Sequence, residues 1–197
     1  MKFIYEIEED IKGFGYGGDP RIEEIKKDSN KHISRLNFLF KQNAFYYKDL
    51  DLSGLTSAEG LIFPKTMIIG LNLSSLISIK GITFPEKMES YLYLSGLTSV
   101  EGLVLPKNIK WDLCLSGLTS AEGLALPETI GGDLYLDGLI SIKGLVLPKT
   151  IGGDLYLRNL ISIDGLVLPE KFTGNIMLNG FIISPKNIEQ YRSQRTK

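Results

Sequence analysis

The sequence predicts a mainly β repeat solenoid, and this fold class follows from two fixed spacings and from the arrangement of leucines. Prolines recur every 21 residues from position 64 to 169, and glycines do so from position 60 to 165. A fixed period of this length is typical of proteins that stack one structural unit on the next. Six complete repeats therefore run from Asp49 to Gly174, and a seventh begins at Asn175 and breaks off after NIMLNGFIIS.

The first segment of each repeat predicts a short strand. Positions two and four are leucine in all six repeats, whereas positions one, three and five vary. An alternation with a period of two is the pattern of a half-buried strand. We therefore expect the leucines to face inward and the variable residues to face outward.

A second extended segment is predicted at positions thirteen to sixteen, which read LxLP in most repeats. It alternates in the same way and is stopped by proline, which cannot donate to a ladder. The intervening GLTSAEG or GLISIKG supplies a glycine corner. Each repeat is thus one turn, and seven turns at about 4.8 Å give a sheet of roughly 30 Å.

Two polar columns are expected on the outside of the stack. Position nine is serine in every repeat, which predicts a hydroxyl ladder along one corner. Position seventeen alternates in sign through Lys65, Glu86, Lys107, Glu128, Lys149 and Glu170. Opposite charges on neighbouring turns favour one register, because a slip by one turn places like charges together.

Position fourteen forms an aliphatic column on the outward side of the second segment: Ile62, Thr83, Val104, Ala125, Val146 and Val167. Apolar side chains that point away from the core require an explanation. Three explanations are open. The N-terminal segment covers these side chains, they form a self-association surface, or the second segment of each repeat is too irregular for the inward and outward assignment. We favour the irregular segment.

The stretch GLTSAEGLALPETIGGDLYLDGLISI resembles bacterial leucine-rich repeats, especially the BspA-like branch, over about two thirds of the chain, from Asp49 to Ser184. The resemblance implies a leucine-rich-repeat-like solenoid that binds a ligand or protein on its strand face, typically without catalysis. The ladder of Asn or Cys that usually follows the strand is replaced here mostly by glycine. A straight two-sheet β-solenoid is therefore the structural alternative.

The two ends are expected to cap the solenoid, because a stack exposes its core at each end. Residues 1–48 are predicted to form a capping segment of strand, loop and helix, followed by the solenoid at 49–184. The GFGYGG sequence at 13–18 matches GxGxxG, but no second strand of a βαβ unit follows, so we interpret it as a loop of the cap. Residues 185–197 are predicted to form a helical cap with a basic tail.

Composition excludes several classes of function. Lys and Arg number 22 against 23 Asp and Glu, so no overall field draws the chain to nucleic acid or to an anionic membrane. One cysteine and one histidine exclude a disulfide framework and a zinc site, and we predict no metal and no cofactor. The acidic N-terminus is unlike a signal peptide. We expect a cytoplasmic protein, with export by other signals left open.

The outward positions of the leucine-rich strand predict a binding surface, because they vary while their inward neighbours stay fixed. Tyrosines and aspartates dominate there: Tyr91, Tyr93, Asp112, Asp133, Tyr135, Asp154 and Tyr156. Tyrosine supplies a large rigid contact area with a polar handle. This composition favours a protein partner with a basic surface, as for a bacterial effector or a phage interaction protein.

Two alternatives stay open at this stage. Asp112, Asp133 and Asp154 are expected to stack about 5 Å apart, which is the carboxylate separation of retaining glycosidases. A β-solenoid acting on carbohydrate is therefore the enzyme alternative to the non-enzymatic interpretation that we prefer. A structural rod that self-associates through the aliphatic column is the third interpretation.

Overall fold

Each repeat contributes one short strand to each of two sheets. The computed structural model describes residues 33, 34, 36, 37, 41, 49–187 and 190. Within 49–187 the strands are β1 (Leu50–Asp51), β2 (Thr66–Met67), β3 (Leu71–Asn72), β4 (Lys87–Met88), β5 (Leu92–Tyr93), β6 (Asn108–Ile109), β7 (Leu113–Cys114), β8 (Thr129–Ile130), β9 (Leu134–Tyr135), β10 (Thr150–Ile151), β11 (Leu155–Tyr156), β12 (Lys171–Phe172), β13 (Ile176–Leu178) and β14 (Phe181–Ile183). We number the repeats as turns, with turn one starting at Asp49.

The odd-numbered strands from β1 to β13 form a parallel first sheet, to which β14 adds an antiparallel edge. The even-numbered strands from β2 to β12 form a parallel second sheet of six strands. Equivalent positions pair from turn to turn, as in Leu71 with Leu92 and Met88 with Ile109. The predicted mainly β solenoid of stacked 21-residue turns is confirmed, in an arrangement of two sheets.

Leucines at positions two and four fill the interior, as predicted. Leu92, Leu94 and Leu113 are each 0 % exposed. Their strands bond along the stack, because Leu92 N donates to Asp112 O at 2.9 Å and Leu94 N donates to Cys114 O at 2.9 Å. Full burial of a leucine side chain is worth roughly 1.5–3 kcal/mol. Repeating these leucines in every turn builds one continuous core from short strands.

The second strand of each turn lies after the proline, at positions eighteen and nineteen, so its predicted place at positions thirteen to sixteen was wrong. Within 49–187, pairing in that segment is limited to the isolated bridge between Ile62 and Thr83. The N–H at position thirteen is used inside the turn, as in Leu103 N to Val100 O at 2.9 Å. Proline at position sixteen has no N–H. Two of the four positions in the segment therefore have no N–H group free for a ladder.

The corner at positions nine to twelve is held by bonds inside each turn. Glycine at position twelve has φ between 73 and 83° in all six turns, a conformation that strains other residues. The hydroxyl oxygen of serine at position nine accepts the N–H two residues on, as in Ser120 from Glu122 at 3.2 Å and Ser141 from Lys143 at 3.1 Å. The predicted hydroxyl ladder was wrong, since within 49–187 these serines bond locally and no hydrogen bond joins them from turn to turn.

The alternating charges at position seventeen lie on the surface. Among residues 49–187, Glu128 and Lys149 are the pair of this column within ion-pair distance, at 3.4 Å between Nζ and Oε2. Exposed lysine and glutamate side chains gain little from holding one geometry. The alternation yields this one ion pair here rather than a continuous ladder.

The N-terminal end of the stack is covered by helical residues. Ile33 and Leu36 are buried against the core of turn one. Asn37 Nδ2 donates to Gly60 O at 2.8 Å, and its Oδ1 accepts the N–H of Ile62 at 2.7 Å. The carboxamide thus bonds with the backbone of turn one in place of a preceding turn. The other elements predicted for residues 1–48 lie outside the described residues.

The C-terminal end is closed by a β-hairpin that the sequence analysis did not predict. Strands β13 and β14 pair through a two-residue loop, Asn179 and Gly180, with φ of 35 and 82°. Positive φ at both loop residues is typical of the tight hairpin turn that Asn-Gly favours. A 3-10 helix follows at Pro185–Asn187, and the basic tail predicted beyond it lies outside the described residues.

Candidate functional site

The outward side chains at positions one and three of turns three to six form a strip on the first sheet. Successive strand residues point to opposite sides, so these two positions share the side away from the leucines. In-register pairing stacks them in two columns along the solenoid. The seven residues predicted for binding all lie here, half-buried: Tyr91, Tyr93, Asp112, Asp133, Tyr135, Asp154 and Tyr156. With Cys114, they make up the tyrosine–aspartate strip.

The aspartates of the strip bind the backbone of the following turn. Asp112 Oδ1 accepts the N–H of Asp133 at 2.8 Å, and Asp133 Oδ1 accepts that of Asp154 at 2.7 Å. Asp154 Oδ1 accepts the N–H of Asn175 at 2.6 Å. A carboxylate that accepts a backbone N–H is fixed in orientation. One oxygen of each carboxylate is therefore part of the ladder that connects the turns.

Glycine at the last position of turns four and five makes the close approach of Asp112 and Asp133 to the next turn possible. A Cβ atom at Gly153 would lie 2.1 Å from Asp133 Oδ1 and 2.8 Å from the carbonyl carbon of Gly132. The same spacing, 2.1 Å, separates a Cβ at Gly132 from Asp112 Oδ1. The Gly-Gly-Asp sequences thus have a steric cause. Among the described residues, no group of three or more His, Cys, Asp or Glu side chains is placed to hold a metal ion.

Four tyrosines of the strip form two stacked pairs. Tyr135 and Tyr156, on successive turns, have ring centroids 4.3 Å apart and an interplanar angle of 14°. Tyr91 and Tyr93, within one turn, have centroids 4.4 Å apart and an angle of 25°. Such stacking limits ring motion and adds about 0.5–1.5 kcal/mol per pair beyond burial. The rings are therefore ordered before any partner arrives.

Gly70 makes room for one of these rings and was not predicted to matter. A Cβ atom at Gly70 would lie 2.2 Å from Cε1 of Tyr91. The Tyr91 ring therefore lies across turn two, and its hydroxyl group bonds with Asp49 of turn one. The signal in the sequence is the single glycine at position one, where the other complete turns carry Asp or Tyr.

Hydroxyl groups of the strip donate to its carboxylates. Tyr135 Oη donates to Asp133 Oδ2 at 3.0 Å, and Tyr93 Oη donates to Asp112 Oδ2 at 3.4 Å. Partial burial, followed by the neighbouring carboxylates, raises the pKa of all four tyrosines above the ordinary value of 10.0. The tyrosines are therefore neutral hydrogen-bond donors with apolar ring surfaces at physiological pH.

A cation already lies at the C-terminal end of the strip. Arg158 Cζ is 4.5 Å from the centroid of the Tyr156 ring, and Arg158 Nη1 is 3.2 Å from Asp137 Oδ2. The sequence analysis missed both charged residues. Their signal is the period of two, since Arg158 follows Tyr156 on the same side of the strand, and Asp137 precedes it by one turn.

The three stacked aspartates, unlike Asp137, form no ion pair with a described Lys or Arg. Within 49–187, the ion pairs join Lys87 and Lys110 to Glu89, and otherwise link Lys143 to Glu122, Lys149 to Glu128 and Arg158 to Asp137. In that part of the chain, Asp112, Asp133 and Asp154 thus have no Lys or Arg at ion-pair distance. The strip carries negative charge that no described cation neutralises.

The aliphatic column at position fourteen is a second exposed surface. Val104, Val146 and Val167 are 77, 74 and 81 % exposed, while neighbouring positions such as Leu124 and Leu166 point into the core. The explanation that we favoured, an irregular segment, was wrong. The segment alternates regularly even without a ladder, because its turn bonds fix the backbone.

Comparison with protein-family models, curated proteins and solved structures finds no match to this chain. The resemblance to leucine-rich repeats therefore stays a prediction, and the function is argued from the site itself. No helix among the described residues is long and apolar enough to cross a membrane.

Proposed function

We propose that this chain is a non-enzymatic protein-binding module and that its tyrosine–aspartate strip is the binding surface. The observation that carries the proposal is that two stacked tyrosine pairs and three aspartates of fixed orientation lie on one outward face. Preorganised side chains bind more tightly because less entropy is lost on association. Tyrosine is also the residue type that interfaces favour.

The partner of this surface is a protein with a basic patch. Asp112, Asp133 and Asp154 lie in one column without a described cation at ion-pair distance. Complementary charge on a partner speeds association and sets its orientation. Because these carboxylates are only half-buried, we expect the affinity to fall as salt concentration rises.

The hydrogen bonds of the aspartates support binding over glycoside hydrolysis. Oδ1 of each aspartate accepts a backbone N–H, so the carboxylate has a structural role in the stack. Asp133→Asn separates the two functions, since the amide oxygen still accepts that N–H. A glycosidase would lose turnover by orders of magnitude, whereas we expect the variant to lose only part of its affinity for a basic partner.

The test of the proposal is capture from a cell extract with three forms of the immobilised full chain. These are the unchanged protein, Tyr135→Ser/Tyr156→Ser, and the matched control Val146→Ser/Val167→Ser, which alters the aliphatic column. We expect the unchanged protein and the control to retain the same proteins, and the tyrosine variant to lose them. Identical capture by all three forms would contradict the proposal.

The aliphatic column supports a second candidate function, self-association into a rod. Val146 and Val167 expose most of their side chains, and apolar columns of this kind are found where proteins associate. Multi-angle light scattering tests this candidate over a range of protein concentrations. An oligomer that dissociates in Val146→Ser/Val167→Ser would support it, and a monomer at all concentrations would count against it.

A further inference from the structure

A gap interrupts the column of tyrosines at Cys114. The outward residue pairs with Tyr93 on one neighbouring turn and with Tyr135 on the other. These flanking residues are two turns apart, a backbone separation of about 9.6 Å. Successive rings in the same column, Tyr135 and Tyr156, are 4.3 Å apart. The column therefore has a small side chain, Cys114, where a further ring would continue the stack, and we call this place the gap.

Tyr135 is the next tyrosine of the column after Cys114, and its side chain is half-buried. Its one ring contact among the described residues is with Tyr156, on the opposite side. Tyr156 in turn carries the Arg158 guanidinium at 4.5 Å. The stack of two rings thus has a guanidinium over Tyr156 and the small Cys114 side chain on the turn next to Tyr135. The planar group that lies on this stack within the chain is the guanidinium of Arg158.

Carboxylates lie beside the gap on the turns of Cys114 and Tyr135. Asp112 and Asp133 hold their Oδ1 atoms against the backbone, and their Oδ2 atoms receive the tyrosine hydroxyl groups. Neither carboxylate has a Lys or Arg at ion-pair distance in the part of the chain from 49 to 187. Aromatic surface next to uncompensated carboxylates suits a cation.

We propose that the gap above Cys114 takes the guanidinium of one arginine side chain of the partner, stacked on Tyr135 and paired with Asp112 or Asp133. This inference rests on the proposed binding function of the strip and specifies what it binds. Arginine suits the gap better than lysine, because its group is planar, stacks on aromatic faces and pairs with carboxylates through two N–H groups. It occupies the place of the missing ring.

The first test measures whether an arginine peptide covers Cys114. Because this is the single cysteine of the chain, its alkylation by iodoacetamide reports on the gap alone. The probes are three peptides of the sequence GSGXGSGXGSG in which X is arginine, lysine or citrulline, the last being a neutral planar isostere of arginine. We expect saturating arginine peptide to slow alkylation at least about threefold, lysine peptide less, and citrulline peptide not at all. Equal rates with all three would overturn the inference.

The second test fills the gap. Cys114→Tyr completes the column with the residue found on neighbouring turns, and Cys114→Ser leaves the gap open. We expect fluorescence anisotropy of the labelled arginine peptide to show affinity reduced at least tenfold in the tyrosine variant and within about twofold of the original in the serine variant. Circular dichroism on heating checks that both variants fold. Undiminished binding to a folded Cys114→Tyr protein would overturn the inference.

Capture from the cell extract separates this inference from the proposed function. If Cys114→Tyr retains the proteins that Tyr135→Ser/Tyr156→Ser loses, the strip binds protein but not through an arginine in the gap. If the arginine peptide binds in the gap but the strip variants capture the same proteins as the unchanged chain, the cation site stands and the proposed function fails.

Discussion

The tyrosine–aspartate strip and the aliphatic column arise from the same repeat, yet their side chains are held differently. In the strip, Asp133 accepts the N–H of Asp154, and Tyr135 both stacks on Tyr156 and donates to Asp133. In the aliphatic column, Val146 is 74 % exposed, and its side chain has no group that can form a hydrogen bond. On a solenoid surface, contacts along the stack order the side chains, and ordered side chains present a fixed shape to a partner.

The largest effect on stability is expected from substituting the glycines that lie against the aspartates of the strip. We expect Gly153→Val to lower the free energy of unfolding by about 3 kcal/mol, near the upper end for overpacking, because Asp133 Oδ1 and backbone atoms of Gly132 and Asp133 block its Cβ. Val146→Ala, in the aliphatic column, should change it by less than about 0.5 kcal/mol. Urea unfolding monitored by circular dichroism measures both. Equal midpoints for the two variants would contradict the packing that we describe.

Removing one carboxylate from the ladder should have the next largest effect. Asp133→Ala leaves the N–H of Asp154 without its acceptor, and we expect a loss of about 1–3 kcal/mol. Asp133→Asn retains an oxygen acceptor and should lose clearly less. The same urea experiment compares them. If alanine and asparagine are equally destabilising, charge rather than the backbone bond explains the repeated stacking geometry of the strip.

Alkaline pH should loosen the strip and not the aliphatic column. The four tyrosines have pKa values raised above 10.0 in the folded chain, through burial and then their carboxylate neighbours. The folded state therefore holds these protons more tightly, so the contribution of the tyrosines to stability is constant below pH 10 and falls above it. Unfolding midpoints from pH 8 to 11.5 measure the fall, which Tyr135→Phe should reduce. A midpoint that rises above pH 10 would contradict this prediction.

The smallest effect is expected at the position-seventeen charges. Lys149 and Glu128 form an exposed ion pair at 3.4 Å, so Lys149→Ala should cost no more than about 0.5 kcal/mol. Thermal unfolding at low and at high salt gives the electrostatic part of this value. A loss as large as that of Asp133→Ala would mean that surface charges, and not the strip, hold the turns in register.

The sequence was sufficient to predict the interior and the outward face of the first sheet, because leucine alternation at a 21-residue period permits one arrangement. It did not predict the position of the second strand, because that position depends on which N–H groups are already bonded within the corner, such as that of Leu103. The bond from Asp133 to the next turn was also missed, since it joins residues 21 apart through a side chain. The Asn179-Gly180 dipeptide does indicate a hairpin, but it was overlooked because the segment was interpreted as part of a seventh repeat.

The most direct test of the strip as a binding face is site-specific photocrosslinking. A benzoylphenylalanine placed at Tyr156 lies in the strip, and one placed at Val167 lies in the aliphatic column of the same turn. After irradiation in cell extract, we predict a covalent adduct with another protein from position 156 and none from position 167. Adducts formed only at position 167, or equally at both positions, would contradict the proposal that this chain binds protein through its tyrosines and aspartates.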